Sequence, residues 1–350
     1  MGLPSGPYVP WPLAASWYLL GRHALVGLLR FLSQSPCRLW VPSYFCFPVA
    51  DYWKTFAEVV TYSDDPCRPE PDWSTLDPGK DDLVVAVNYF GVRNGDPWRG
   101  WRRRNPCVLV EDHSHDPVSG WALRSSAEYA FASLRKTLPV PDGAILWSPR
   151  GLPLPASGTG ESQASTLKLN AMLWKRDYLR GHAAPDAKSV YRDWQSRGEV
   201  AFDRSPVSFA TELSRQYLSF GVPSAWRVRR RQNVRRLLSR LGESKHLLPL
   251  FARWPLDAAP LGAVFAAPSQ EQRDDLRQQL KESGVYCPVL WPPAKDCDPR
   301  ARQLAERLLT IPTDQRYGAR DMEKVAAILS RLHLGDDPES GELNCGHARI

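Results

Sequence analysis

The sequence lacks the signatures of several protein classes. Its seven cysteines are widely spaced, form no CxxC pair and have no histidine at zinc-ligand spacing, so we expect no metal site. No repeat of fixed period is present, which excludes solenoids and propellers. The apolar stretch 11–20 is too short to span a bilayer and follows no basic region. We therefore expect neither secretion nor membrane insertion, and we expect a cytoplasmic protein.

The composition is that of a globular chain with room for about two domains. Hydrophobic residues make up 43% and charged residues 24% of the 350 positions, which excludes wholesale disorder. The 32 prolines favour many short elements with ordered turns over long helical bundles.

The charge balance is mildly basic. There are 45 basic and 38 acidic side chains, a net charge of +7, which does not by itself imply nucleic acid. Two clusters, at 98–104 and 227–236, mix arginine with tryptophan or apolar residues. We interpret them as solvated helix faces, because arginine stems commonly cover an apolar flank. The alternative is phosphate recognition of a nucleotide-linked substrate.

The order of apolar segments predicts an α/β fold. A helical pattern at 21–32 is followed by short apolar runs within 37–44, 57–64, 81–91, 105–112, 127–134 and 142–148. Apolar runs without alternation are typical of strands covered on both faces, so a mostly parallel sheet with helices on both faces is expected.

A second unit follows the first sheet. Helices are predicted at 166–180, 207–220 and 227–241, and strands at 261–268 and 308–315 alternate with helices at 271–284 and 319–332. We expect a large domain over 1–218, a smaller C-terminal α+β domain over 219–336, and a disordered tail over 337–350.

Polar residues that follow buried strands are the first candidates for a site, since ligands of open α/β sheets bind beyond the carboxyl ends of the strands. Asp112 with His115, Asn88, and Lys136 stand at such places. Taken singly, such an Asp is more often a turn former and such a Lys a surface charge.

Taken together, these residues resemble a known family. The segment VEDHSHDP, followed 24 residues after Asp112 by Lys136 in FASLRKTLPVPDGA, is similar to the DegT/StrS family of fold type I enzymes that use pyridoxal 5′-phosphate (PLP), the sugar aminotransferases. The family has a strand ending in EDxAH or EDxAQ, then SFxxxK, then an acidic residue with glycines. The counterparts here are Glu111, Asp112, His115, Lys136, Asp142 and Gly143.

The resemblance extends over nearly the whole chain, to about residue 335. GRHAL resembles the family's early phosphate-binding helix start, VPSYFCFPVAD its PSxTxxxT loop and VNYFG its VHxxG motif, while 308–329 resembles its closing strand and helix. It implies a fold type I PLP-dependent transferase with a mostly parallel central sheet.

The resemblance also implies roles for the candidate residues. Lys136 would form a Schiff base with PLP and then act as the base, Asp112 would pair with the pyridine nitrogen, and His115 would sit beside the ring. An amine reacts only when unprotonated, so a partly desolvated site or a nearby cation is expected at Lys136. The remaining candidates are Gly21, Arg22, Ser133 and Arg135 for the phosphate, Phe45 and Phe47 for the ring, and Asn88, Tyr44, Arg316 and Tyr317 for the substrate.

The chain departs from the family pattern in two places. Phe131 stands where the family has a phosphate-binding serine, five residues before the lysine, and Ser133 is the expected substitute. The GxNxRM stretch has lost its glycine and arginine, and Asn170 is its nearest remnant. Because that stretch shapes the substrate site, these departures favour a non-sugar carbonyl over a sugar slightly.

The predicted function is therefore a PLP-dependent aminotransferase that moves an amino group from an amino acid, glutamate first, to a keto-sugar linked to a nucleotide. The alternatives are a PLP enzyme acting on a non-sugar carbonyl or an amino acid, and a scaffold that binds without turnover. The resemblance also implies a homodimer with sites at the subunit interface. No resemblance to a nucleic-acid-binding module is present.

Overall fold

The computed structural model describes residues 6–12, 14–32, 38–184, 186–241, 247–293 and 297–332. The predicted tail 337–350 lies outside the described residues. The strands of the described part are β1 Tyr8–Val9, β2 Ser16–Tyr18, β3 Arg38–Pro42, β4 Glu58–Tyr62, β5 Leu83–Val87, β6 Val108–Asp112, β7 Tyr129–Ser133, β8 Ala144–Trp147, β9 Val222–Pro223, β10 Leu248–Pro249, β11 Ala263–Ala266 and β12 Leu308–Ile311.

The α-helices of the same residues follow in chain order. They are α1 Gly21–Leu32, α2 Phe47–Trp53, α3 Asp96–Arg102, α4 Gly120–Leu123, α5 Gln163–Leu179, α6 Ala187–Asp203, α7 Glu212–Leu218, α8 Ser224–Leu241, α9 Gln270–Glu282, α10 Pro299–Arg307 and α11 Ala319–Leu329. Short 3-10 turns lie at Trp73–Thr75, Tyr89–Gly91 and Leu134–Lys136.

The large sheet has seven strands in the order β2-β8-β7-β6-β5-β3-β4. Strands β4, β3, β5, β6 and β7 pair in parallel, and β8 and β2 add antiparallel pairs at one edge. The predicted mostly parallel α/β fold is confirmed.

Both faces of this sheet are covered, which explains the continuous apolar runs in the sequence. All five residues of β5 are buried. Leu83, Val85 and Val87 pack in the core that holds Leu25 and Leu28 of α1. The alternate residues of the strand, Val84 and Ala86, pack in the core of Trp98 and Trp101 of α3.

A smaller sheet follows, with β10, β11 and β12 in antiparallel order. Its core joins Phe265 of β11 and Ile311 of β12 to Leu237 of α8, Leu276 of α9 and Met322 of α11. This is the α+β layer that the sequence predicted, and the proposed boundary near 218 stays a prediction.

The structure corrects the predicted helices in three respects. The helix predicted from 207 begins at Glu212, because Thr211 caps it by accepting from the Ser214 amide and Phe209 bridges to Tyr18. Helix α6 was not predicted at all. The basic clusters are also not simply solvated faces, since Trp98, Trp101 and Arg230 are buried.

Candidate active site

A cavity of about 300 Å³ opens at the carboxyl ends of β6 and β7. Seven of the predicted cofactor residues line it: Gly21, Arg22, Phe45, Asp112, Ser133, Arg135 and Lys136. The predicted position of the site at the carboxyl edge of the sheet therefore coincides with a real cavity.

Asp112 and Lys136 reach this cavity because they lie at the carboxyl ends of neighbouring parallel strands, Asp112 on β6 and Lys136 in the turn after β7. Asp112 is the last residue of β6, is 8% exposed, and accepts a hydrogen bond from the Ser114 amide at 2.8 Å. Lys136 ends the 3-10 turn that follows β7. The Ser133 amide donates to Oγ of Ser114 at 2.9 Å, which ties the loop after β6 to the loop after β7.

His115 contacts the lysine from inside the protein. Its Nδ1 accepts a hydrogen bond from the Phe90 amide at 2.9 Å, and its Nε2 lies 3.4 Å from Nζ of Lys136. Burial, reinforced by nearby Lys136, holds the pKa of His115 well below its usual range. The neutral ring therefore carries its hydrogen on Nε2, directed at the lysine nitrogen.

Phe90 adopts an unusual backbone conformation to make that contact. Its φ is +53°, in the left-handed region that bulky residues rarely occupy. Its amide donates to His115, and its carbonyl accepts from the Leu261 amide at 2.8 Å. Unfavourable backbone geometry of this kind persists where surrounding contacts enforce it, commonly at functional sites.

Trp291 lies near both Lys136 and His115. It lines the cavity, its ring stacks on His115 at 5.5 Å with a 22° tilt, and Nζ of Lys136 lies 5.3 Å from the ring centroid. The Lys136 side chain is itself exposed toward the cavity rather than partly desolvated as expected. Its nearest polar neighbour is the histidine.

The opposite end of the cavity is suited to an anion. Gly21 begins α1, a helix of 12 residues whose first amides point out of the helix end. A Cβ at Gly21 would lie 3.1 Å from Cβ of Ser133, so glycine allows the helix start to approach the loop after β7. Arg22 and Arg135 add two cations there.

Carboxylates from α6 already pair with these cations. Nη1 of Arg22 lies 3.1 Å from Asp203, and Nη2 of Arg135 lies 2.7 Å from Glu199. Glu199 also forms an ion pair with Lys168 of α5. Although burial acts to raise it, the pKa of Glu199 is held below its ordinary value by Arg135 and Lys168.

The donor set fits PLP. The buried Nε of Arg22 has no hydrogen-bond partner among the described residues, so that guanidinium retains a donor for a further acceptor. A helix start and two arginines suit a phosphate, an amine exposed toward the cavity suits an aldehyde, and a carboxylate suits a protonated ring nitrogen.

The predicted aromatic residues differ in position. Phe45 lines the cavity and stacks on Trp53 at 5.3 Å, whereas Phe47 begins α2 and is not part of the cavity wall. Tyr44 is buried and its hydroxyl donates to the Leu290 carbonyl.

Three residues predicted to bind substrate make contacts elsewhere. The Asn88 amide donates to Oγ of Ser119 at 3.1 Å and its Oδ1 accepts from the Arg93 amide at 3.1 Å. Arg316 forms a two-pronged ion pair with Asp314, at 2.7 and 2.8 Å. The ring of Tyr317 lies under the Arg316 guanidinium, 5.5 Å away.

Residues of the cavity wall that sequence reasoning missed include Glu199, Phe202, Asp203 and Trp291. The first three come from α6, whose amphipathic pattern could have revealed a helix but not what it covers. Trp291 lies in an irregular segment between α9 and α10, where no local pattern marks it.

Within the described ranges, no group of three or more His, Cys, Asp or Glu side chains is placed to hold a metal ion. No helix in that part of the chain combines the length and apolar character needed to cross a membrane.

Comparison of the structure with solved structures identifies its fold, whereas comparison of the sequence does not. No known family profile and no curated protein matches the sequence. The fold, however, is that of fold type I PLP-dependent aminotransferases, and solved structures of DegT/StrS-type enzymes superpose on most of the chain.

Three of these structures illustrate the similarity. A DegT DnrJ EryC1 StrS aminotransferase from Brucella abortus is 15% identical, with 90% of this chain and 85% of that chain covered at a TM-score of 0.56. DesI, solved in the presence of its TDP-sugar product, is 17% identical, with 90% and 79% covered at 0.57. The PLP form of Spr1654 from Streptococcus pneumoniae is 15% identical, with 89% and 85% covered at 0.59.

Proposed function

We propose that this protein is a PLP-dependent aminotransferase. It would move an amino group from an amino acid, glutamate first, to a keto-sugar linked to a nucleotide. The observation that carries the proposal is the joint presence of Asp112 and Lys136 in one cavity whose far end holds a helix start and two arginines. Asp112 and Lys136 would have no shared purpose there in a protein without this cofactor.

The proposed residues divide the cofactor between them. When bound, PLP supplies a conjugated ring that accepts the electron pair released at the substrate carbon. Asp112 would hold the proton on the ring nitrogen, and Phe45 would pack against the ring. Gly21, Arg22, Ser133 and Arg135 would bind the phosphate.

Lys136 would supply the reactive amine. Its Nζ would bind the aldehyde, and after the substrate amine has replaced it, would carry the proton between the two reacting carbons. His115 directs an Nε2 hydrogen at Nζ, 3.4 Å away, and so would orient the amine in the cavity. Trp291 would exclude water from that side of the lysine.

The substrate class rests on similarity and on charge. DesI was solved in the presence of its TDP-sugar product, which supports a nucleotide-linked acceptor for this chain. Phe131, in place of the family's serine, lines the cavity and favours the second candidate, a non-sugar carbonyl. Asn88, Tyr44, Arg316 and Tyr317 remain proposed substrate contacts.

A half-reaction tests this function. Protein reconstituted with PLP is mixed with single amino acids, and pyridoxamine phosphate is measured by mass spectrometry. We expect glutamate to produce it, and keto-sugar nucleotides to consume it in preference to keto-cyclitols or 2-keto acids. Consumption only by a non-sugar ketone supports the second candidate. A colourless protein that takes up no PLP indicates a binding scaffold and contradicts the proposal.

We further propose that the protein acts as a homodimer in the cytoplasm. Large apolar side chains are exposed on α5 and α7, including Leu179 at 70% and Leu213 at 53%, which supports burial against a second copy. Sedimentation of the reconstituted protein together with activity at the same concentration tests this. A fully active monomer would contradict it.

A further inference from the structure

Two side chains from the C-terminal part of the chain hold the carbonyl of Thr137, the residue that directly follows Lys136. Nη2 of Arg230 donates to the Thr137 carbonyl at 3.0 Å, and Nε2 of Gln315 donates to the same oxygen at 3.2 Å. Nε of Arg230 donates to Oε1 of Gln315 at 2.8 Å, which closes a ring of three hydrogen bonds. The Thr137 peptide is therefore fixed by groups that are remote in sequence.

Burial of Arg230 costs more free energy than burial of an apolar side chain in the same place would. Arg230 is 6% exposed, and its hydrogen bonds within the described residues go to a carbonyl and an amide rather than to a carboxylate. A buried guanidinium without a hydrogen-bonded carboxylate pays a large desolvation cost. An apolar side chain would fill the same space without that cost, so the directed hydrogen bonds are the feature to explain.

The turn that carries Lys136 is short. It is a single 3-10 turn, Leu134–Lys136, and the Thr137 and Leu138 amides donate to the Leu134 carbonyl at 3.2 and 2.9 Å. The Thr137 hydroxyl is buried and makes no hydrogen bond among the described residues. The Thr137 carbonyl is therefore the point at which side chains remote in sequence hold the end of this turn.

Helix α8, which carries Arg230, also contacts the segment that carries His115. Nη2 of Arg227 lies 2.8 Å from Oδ2 of Asp116, the neighbour of His115, and Asp116 also accepts from the Ala259 amide at 2.7 Å. Helix α8 therefore contacts the chain next to both His115 and Lys136.

We propose that Arg230 and Gln315 are positioning residues for Lys136. By holding the Thr137 carbonyl, they keep Nζ beside Nε2 of His115 and near the ring of Trp291, where it would meet the aldehyde of PLP. The inference rests on the proposed function for the identity of that aldehyde.

Two ligands separate this role from general stability. PLP and 4-deoxypyridoxine 5′-phosphate share the ring and the phosphate, but only PLP can bond to the lysine. The ratio of their dissociation constants reports how well Nζ is placed. We expect Arg230→Ala and Gln315→Met to lower the preference for PLP by about fivefold each, the loss of roughly one hydrogen bond, while binding of the analogue stays unchanged.

The conservative variant and a matched control complete the design. Arg230→Lys retains one donor and should restore part of the preference for PLP. Arg273 is also a buried arginine, 5% exposed, that donates to the Ala305 and Leu308 carbonyls away from the cavity. Arg273→Ala should destabilise the protein without changing the preference.

The possible outcomes are distinct. An unchanged preference in Arg230→Ala and Gln315→Met, or an equal loss in Arg273→Ala, overturns the positioning role. If Arg230→Ala does not fold, Gln315→Met decides, since it keeps the Arg230 guanidinium and its hydrogen bond to the Thr137 carbonyl. Wild-type protein that binds neither ligand contradicts the proposed function itself.

Discussion

At the scale of single residues, the chemistry depends on two side chains at the carboxyl ends of adjacent parallel strands. The parallel pairing of β6 with β7 brings Asp112 and the turn of Lys136 to one edge, where Nζ of the lysine lies beside His115 and near the ring of Trp291. The ends of these two strands position Asp112 and Lys136, whereas other residues of the cavity, such as Gly21 and Trp291, come from distant parts of the chain.

Asp112→Asn tests the residue that would face the ring nitrogen. The amide has nearly the same shape but cannot hold a proton on that nitrogen, so we expect PLP to bind and turnover to fall by at least about tenfold, the equivalent of about 1.4 kcal/mol. Cofactor uptake and the rate of pyridoxamine phosphate formation are measured together. A rate close to that of the wild type would remove Asp112 from the mechanism.

The sequence identified these residues because they follow buried strands at a recognisable spacing. Asp112, His115 and Lys136 lie within one stretch of chain, so their order is preserved in the linear pattern. Trp291 lies far along the chain in an irregular segment, and only folding brings it onto the lysine.

At the scale of elements, helix α6 sets the charge of the anion end. Arg22, Arg135 and Lys168 face Asp203 and Glu199 across it. The sequence predicted the arginines but not the helix whose carboxylates pair with them. A bound phosphate would therefore compete with these carboxylates for the same guanidinium groups.

Glu199→Gln should tighten PLP binding by a few-fold, because it removes one negative charge beside the phosphate. The side chain of Glu199 is 51% exposed, so solvent and salt screening keep the effect small. Asp193→Asn is the matched control, an exposed carboxylate of the same helix that pairs with Arg197 at 3.4 Å. Absorbance titration at two salt concentrations provides the measurement, and weaker binding in Glu199→Gln would show that the carboxylate orients Arg135 instead.

At the scale of the whole molecule, buried histidine links stability to pH. His23 of α1 is fully buried, and burial, with Arg22 nearby, lowers its pKa to about 4. Unfolded histidine binds a proton near pH 6.5, so the unfolded state gains protons first as the pH falls. The free energy of unfolding should therefore decrease between about pH 6.5 and pH 4.

His23→Gln should remove part of this decrease. Its contribution reaches about 2 kcal/mol by pH 5, at roughly 1.4 kcal/mol per pH unit below 6.5. Urea unfolding at pH 7 and pH 5 compares the variant with the wild type. Equal losses in the two proteins would show that His23 takes no part in acid sensitivity.

The overall architecture was the most predictable level. Apolar runs of strand length between helical patterns indicated a mostly parallel sheet, and the smaller α+β layer was recognised from its own alternation. Helix boundaries were less predictable, since Thr211 and Ser162 start α7 and α5 by capping at positions that hydrophobic periodicity does not mark. The roles of α8 were hidden because a buried and a solvated arginine look alike in a basic run.

The most direct test of the central claim is to locate the covalent bond between PLP and the protein. Wild-type protein is incubated with PLP, reduced with borohydride, digested and analysed by mass spectrometry, with Lys136→Ala of unchanged circular dichroism as the control. The account predicts a single pyridoxyl group on Lys136 and none in the variant. Modification spread over other lysines, or equal modification of Lys136→Ala, would contradict it.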